Sequence, residues 1–232
     1  MEENYEDKSL RTKAIKSFED FQNQEAKRFF DLTEKYQQKF NLKMKPGSIG
    51  HNDETDAFRH SMMMAFYTMK YGDFAAHKIG DYHEDEGEAR GQDPREKNMD
   101  LWNNAIGRQT AKEIKKEMKG KEKFFTDEQM LDIIAVSLRD KIKNKELITD
   151  INDKRDFETS PLNGRIFTRE NIHNMTPEEY RTNEKLIDNE LKNQRVMSDA
   201  EAQKAVASGD LIFVHSYERE DGTQVKGYYR RK

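Results

Sequence analysis

Residues 56–72 read DAFRHSMMMAFYTMKYG, and this stretch decides the fold. Phe58, Met62, Ala65, Phe66 and Met69 cover one side of a helix, while Met63, Met64 and Tyr67 cover much of the other. A helix that is apolar nearly all round must sit among other helices. Yet its first turns carry Asp56, Arg59 and His60, and Asp56 and His60, four apart, share a face. Buried polar groups cost free energy unless they are paired. A neighbouring side chain, a metal or a substrate must therefore satisfy them, and an internal ion pair that orients the helix is the plain alternative.

Downstream, Gly72 stops this helix, and Asp73 is placed to cap another over roughly 74–85. A polar loop with Gly87 and Gly91 follows. Asp93-Pro94-Arg95-Glu96 then opens a longer helix, with Asp93 as N-cap, Pro94 at the first helical position and Glu96 closing a capping box. Gly120 ends it. Thr126 to Gln129 is a second capping box, and Leu131, Ile134, Leu138 and Ile142 mark one face of the helix that it starts. Upstream, Leu10, Ala14, Phe18 and Phe21, then Phe29, Leu32, Tyr36 and Phe40, predict one or two helices from about 8 to 40.

Beyond Asn144 the periodicity fades. The stretch 144–175 is polar, carries Ser160-Pro161 and Asn163-Gly164 turns, and predicts a linker with one short strand at 165–167. Thr176-Pro177-Glu178-Glu179 and Ser198-Asp199-Ala200-Glu201 each open a further helix. Two β-rich runs, 211–214 and 225–229, flank Asp221-Gly222 and predict a terminal hairpin. The expected architecture is mostly α: a helical bundle core with a small C-terminal β-hairpin. The expected divisions are packing helices over 1–45, a core domain bearing the site over 46–145, a polar linker and helix over 146–195, and a short helix with the hairpin over 196–232.

Two more helices add candidates. In DFAAHKIGDYHEDEG, His83 falls on the side of Ala76 and Ile79 and is expected to point inward, whereas His77, Asp81 and Glu84 form another stripe. In MDLWNNAIGRQTAKE, Met99, Trp102 and Ile106 form the packing stripe, and Asp100, Asn103, Asn104 and Gly107 form the opposite one, with Arg108 at its edge. Asn and Gly inside a helix each cost roughly 0.5–1 kcal/mol against Ala. That face is expected either to carry function or to let another backbone come close.

These phrases, DAFRHSMMMAFYTMKYGDFAAHKIGDYHE and MDLWNNAIGR, resemble an uncharacterised bacterial helical domain with the pattern DAxRH…HE…MDLxNNxxGR. That domain is found at the ends of secreted toxins and in phage-related proteins. The likeness covers about residues 50–115 and departs from the pattern at Met62-Met63-Met64. It implies signature positions at Asp56, Arg59, His60, His83, Glu84, Asp100, Asn103, Asn104, Gly107 and Arg108. The tail VHSYEREDGTQVKGYYRRK is similar to C-terminal segments of the form YxRxDGTxVxGYxR in phage structural and effector-like proteins.

Two functions fit. In one, the chain is a toxin, effector or phage-associated hydrolase, with His60, His83, Glu84, Asp100, Asn104 and Arg108 in the reaction and Asp56, Arg59 and Asn103 holding substrate. His60, His83, Glu84 and Asp100 have the right donors for a divalent metal ion that activates water; without a metal, His83 or Glu84 would be the general acid–base. In the other, the same residues form a buried ion network in a non-enzymatic binding or structural protein of a phage or secretion system.

Composition narrows the field. There is no cysteine, which excludes disulfides, zinc–thiolate centres and a cysteine nucleophile. With 41 basic and 45 acidic residues the net charge is −4, so no broad nucleic-acid-binding surface is expected, although a local basic patch is not excluded. The longest apolar run, Met62 to Tyr67, cannot span a bilayer. MEENYEDKSLRTK holds no apolar signal core. Synthesis as a soluble cytoplasmic chain is expected, with any export through a dedicated system or a phage particle. An immunity, chaperone or delivery partner is expected at the hairpin.

Overall fold

A computed structural model describes residues 24–158, 160–219, 222 and 224–231. Helix α1 is seen over 24–40; the expected helix before residue 24 lies outside the described residues. Helix α2 spans Glu54–Tyr71, α3 Asp73–Ala89, α4 Pro94–Met118 and α5 Asp127–Lys143. The other four pack around α2, as its all-round apolar surface demands. Phe58, Met62, Met64 and Phe66 of α2 are buried with Phe29 and Tyr36 of α1, Ile114 of α4 and Leu131, Ile134 and Leu138 of α5. Tyr36 also donates its hydroxyl hydrogen to Asp132 Oδ1 at 2.8 Å, tying α1 to α5.

Helix α2 begins where the Asp53 carboxylate accepts from the backbone N–H groups of Thr55 and Asp56. Gly72 ends it with φ 90°, a conformation that suits glycine. Helix α3 follows at once and runs through Gly87 to Ala89, longer than the expected 74–85. Asp93 and Pro94 start α4 as expected, with Asp93 Oδ1 accepting from Arg95 N at 2.8 Å. Glu96 does not close a box; its carboxylate turns to other partners described below. The capping box at Thr126–Gln129 does form, as do those at Thr176–Glu179 and Ser198–Glu201.

One glycine fixes the central crossing. A Cβ on Gly107 would stand 2.2 Å from the Ser61 carbonyl oxygen, so α4 can lie this close to α2 only without a side chain there. Of the two alternatives open for that face, close approach of a second backbone is the one that Gly107 shows.

The stretch after α5 is not a free linker. Leu147, Ile148 and Phe157 are buried against Ala57, Met99, Trp102 and Ile106, making a second core on the outer face of α4. Asn98 accepts from Phe157 N at 2.8 Å and donates to Arg155 O at 2.9 Å. Arg155 donates to the carbonyls of Lys145, Glu146 and Leu147 and lies 5.0 Å over the Trp102 ring. Polar composition misleads here because the polar side chains bind backbone, leaving three apolar ones to pack.

Then come strand β1 (Arg165–Ile166), α6 (Arg169–His173), α7 (Pro177–Lys192) and α8 (Asp199–Ala207). Strands β2 (Leu211–Val214), β3 (Tyr217–Glu218), β4 (Gln224–Val225) and β5 (Tyr228–Arg231) follow. β2 and β5 pair antiparallel from Leu211↔Arg231 to Val214↔Tyr228, and β3 pairs with β4. The rings of Phe213 and Tyr229 lie 5.1 Å apart, as strand alternation predicts; of the expected turn pair, Asp221 lies outside the described residues. A lone hairpin is marginal in water. Here β5 also pairs with β1, and the sheet rests on Ala202 of α8 through Ile166, Leu211 and Tyr229. No helix among the described residues is long and apolar enough to cross a membrane.

The Gly107 crossing gives a direct test. Gly107→Ala should lower unfolding stability by about 2–3 kcal/mol, because the methyl group has only backbone to displace. A urea denaturation midpoint matching the parent's would show that the α2–α4 contact is looser than described.

Candidate functional site

The first two turns of α2 supply Asp56, Arg59 and His60 to one face. Asp56 is buried, with 1% of its surface exposed. Its Oδ2 accepts from Asn52 N at 2.6 Å, and Arg59 Nη2 donates to Oδ1. Arg59 also donates to Gly50 O at 2.9 Å and spreads over the Phe30 ring at 4.2 Å. The loop before α2 is thus tied to the helix by the side chains that the site uses.

Helix α4 brings Asp100 to the same place. His60 Nε2 stands 3.5 Å from Asp100 Oδ1 and 3.6 Å from Asp56 Oδ1. Both separations exceed an ordinary hydrogen bond. Asp100 is 4% exposed; Gln92 donates to its Oδ2 at 3.0 Å, but Oδ1 is buried without a hydrogen-bond partner, as is His60 Nδ1. Burial raises the Asp100 pKa well above the usual carboxylate range, and the nearby Asp56 and Glu96 raise it further. One donor atom from each of Asp56, His60 and Asp100 lies within 4.8 Å of the others, a cluster able to hold a metal ion.

The cluster forms the polar end of a cavity of about 280 Å³. Its other walls are Phe29 and Phe30 of α1, Met63 and Tyr67 of α2, and Ile79 of α3. His51 and Glu96 stand beside the cluster, with His51 Nε2 3.4 Å from Glu96 Oε2. Asn52 Nδ2 and Gln92 Nε2 donate to the two Glu96 oxygens at 3.1 and 3.2 Å.

Other expected site residues divide. His83 lines the cavity, its ring 6.1 Å from that of His60, but it is open to solvent rather than turned into the core. The protein crowded around its flank lowers its pKa, and His60 lowers it further. Glu84 takes the buried position instead. The buried stripe of α3, which faces α4, is Ala76, Gly80 and Glu84, spaced by four, and the small Ala76 and Gly80 admit close packing. That packing sets Glu84 against Asn104, whose Nδ2 donates to Glu84 Oε1 at 3.0 Å. Sequence periodicity gave the larger Ile79 more weight than this small-residue stripe.

Asn103, Arg108 and Gly107 serve elsewhere. Asn103 clamps the backbone of Ile148, accepting from its N–H at 3.0 Å and donating to its carbonyl at 2.9 Å. Arg108 pairs with Asp73 at 3.6 Å and lines a different cavity, and Gly107 makes the helix crossing. The expected metal set of His60, His83, Glu84 and Asp100 thus differs from the observed cluster, in which Asp56 replaces His83 and Glu84. His51, Gln92 and Glu96 join the site without having been expected. Glu96 was hidden by its place in a capping pattern, and His51 and Gln92 lie in loops where no periodicity points.

The chain belongs to the family described as a domain of unknown function, DUF6973, whose model matches residues 21–144. That span contains α2 to α5 and every residue lining the cavity. No solved structure matches the chain.

Glu84 offers a pH test. Burial pushes its pKa up to about 8, so folding favours the protonated form. The stabilising contribution is complete below the pKa of an exposed Glu, about 4.3, and is lost as pH rises through about 8. Glu84→Gln cannot ionise. In chelator-containing buffer it should unfold like the parent near about pH 5 and be more stable by at least about 1 kcal/mol near about pH 9, where the parent carries the buried charge. A stability difference that stays constant across that range would show that Glu84 is hydrated.

Proposed function

We propose that this domain is a divalent-cation-dependent hydrolase. The observation that carries the reading is the donor spacing at Asp56, His60 and Asp100. His60 Nε2 lies 3.6 and 3.5 Å from the two carboxylate oxygens. Donors bound at about 2.1 Å to a tetrahedral ion stand about 3.4 Å apart. The spacing is too wide for good hydrogen bonds and close to the edge of such a coordination shell. A cation there would also relieve the repulsion between Asp56 and Asp100. One imidazole and two carboxylates suit zinc, manganese or ferrous iron.

Held by Asp56, His60 and Asp100, such an ion would supply Lewis-acid chemistry, making a water nucleophilic near neutral pH. His83, whose pKa burial lowers, lines the same cavity and would serve as the general base for an attacking water. In such a hydrolysis the water oxygen would bond to the electrophilic centre as the bond to the leaving group breaks, and His83 would return the proton to that leaving group. The Phe29, Phe30 and Tyr67 wall would hold the apolar part of the substrate. The sequence resemblance adds a setting: a toxin, effector or phage-associated protein. Ile212 and Phe213, about two-fifths exposed on β2, would then offer a surface to an immunity, chaperone or delivery partner.

One observation favours a second reading. Asn52 N and Arg59 already serve both Asp56 oxygens, so the cluster could be a self-contained ion network lining the pocket of a binding protein.

Metal titration separates the two. Isothermal calorimetry with manganese or zinc should show one ion per chain. His60→Ala and Asp100→Asn should each weaken it at least about tenfold, since even outer partners of a metal ligand contribute 10–100-fold. The helical circular dichroism signal should persist in both. Absence of saturable binding to the parent protein would leave the ion-network reading.

A further inference from the structure

A second and larger cavity, about 880 Å³, lies between α3, α4 and the C-terminal segment. The Asp56–His60–Asp100 chemistry makes no use of it. Seven lysines and arginines line it against three acids, although the whole chain carries a net charge of −4. The acids are already engaged. Asp73 takes Lys112 at 2.6 Å and Arg108 at 3.6 Å. Glu190 takes Arg195 at 2.7 Å and Arg231 at 3.3 Å. Glu113 takes Lys141 at 3.0 Å from outside the groove.

Two features go beyond a patch of positive charge. Arg108 is 8% exposed at the groove, and its distance from Asp73 is longer than a hydrogen bond. Burial lowers its pKa, so an anion in the groove would relieve a poorly paired guanidinium. Phe74, in contrast, is 78% exposed on the groove wall. An acidic peptide would use the cations but gives no reason for a bare aromatic face. A membrane would meet a flat surface rather than a groove. Cations tracking a backbone, with an aromatic ring on which a base can stack, are the recognition elements of single-stranded nucleic acid.

We propose that this groove binds a single strand of DNA or RNA, with its phosphates against Arg108, Lys112, Lys116 and Arg230 and a base stacked on Phe74. The site joins the family-matched part of the chain to the segment beyond it, because Arg230 lies on β5.

The test is fluorescence anisotropy of the full chain with a labelled oligothymidylate and an oligouridylate of about twelve nucleotides, within the usual site size. Both should bind saturably at about 50 mM salt, with a log–log salt slope of about −2 to −3 for three or four phosphates. The double variant Lys112→Glu, Lys116→Glu should weaken binding more than about tenfold, by loss of those phosphate contacts. Phe74→Ala should weaken it about tenfold, the scale of one stacked base. All three side chains are exposed, so circular dichroism should match the parent. No saturable binding at that salt would overturn the proposal. So would binding that ignores Phe74→Ala and is fully displaced by inorganic polyphosphate, which would mark a polyanion or acidic-protein site instead. Asp100→Asn should leave the oligonucleotide affinity unchanged, so the groove stands or falls independently of the metal cluster.

Discussion

The backbone contact between Ser61 and Gly107 is the constraint from which the rest of the core follows. Helices usually pack with side chains between them, at interaxial distances of 8–10 Å. Here a Cβ on Gly107 would meet the Ser61 carbonyl at 2.2 Å, so α4 lies directly on α2. His60 is the residue next to that contact, and Asp100 lies about two turns along α4 from it. With the crossing point fixed, the two side chains come within 3.5 Å. Gly80 eases the approach of α3 in a similar way: its absent Cβ would stand 3.1 Å from Met64 Sδ and 3.6 Å from Asn104 Nδ2.

Close packing places charge where water cannot reach it. Asp56, Glu84 and Asp100 are each less than 5% exposed, and burial raises the pKa of both Glu84 and Asp100. Burying so many carboxyl groups in a small helical core opposes folding unless partners offset it. For Asp56 the offset is visible: a backbone N–H, a guanidinium and a nearby imidazole. For Asp100 and Glu84 it is incomplete, since one oxygen of each lacks a hydrogen bond. Uncompensated buried polarity of this kind is concentrated at sites that bind or react. It lies beside a cavity walled by aromatic rings rather than in a sealed interior.

Helix α4 divides the molecule by its faces. Met99, Trp102 and Ile106 face outward onto the 147–157 loop, while Asp100 and Asn104 face α2 and α3. Asn103 and Asn104 are neighbours in sequence with separate tasks. One holds a loop backbone in both directions, the other holds a buried carboxyl. Further along the same helix, Arg108, Lys112 and Lys116 form one wall of the basic groove. A single helix therefore supports the second core, the acidic pocket and the groove.

Much of the scaffold was legible in the sequence. The apolar girth of 56–72 required a central helix, the capping residues at Asp93, Thr126, Thr176 and Ser198 set helix starts, and alternation in 211–214 and 225–229 implied paired strands. These are local effects, decided by neighbours a few residues away. The shared buried face of Asp56 and His60 was legible too, because they stand four apart on a helix that must be buried. Tertiary structure alone decided which residues meet. Small residues at Ala76 and Gly80 turned α3 so that Glu84 went inward and His83 stayed at the mouth. The loop packing drew Asn103 away, and the helix crossing, not any spacing in the chain, brought Asp100 to His60 and Glu96 to His51. Local propensity fixes where a helix begins and which of its faces is apolar; which of two similar faces is buried depends on how closely another backbone can approach, and only the folded chain sets that distance.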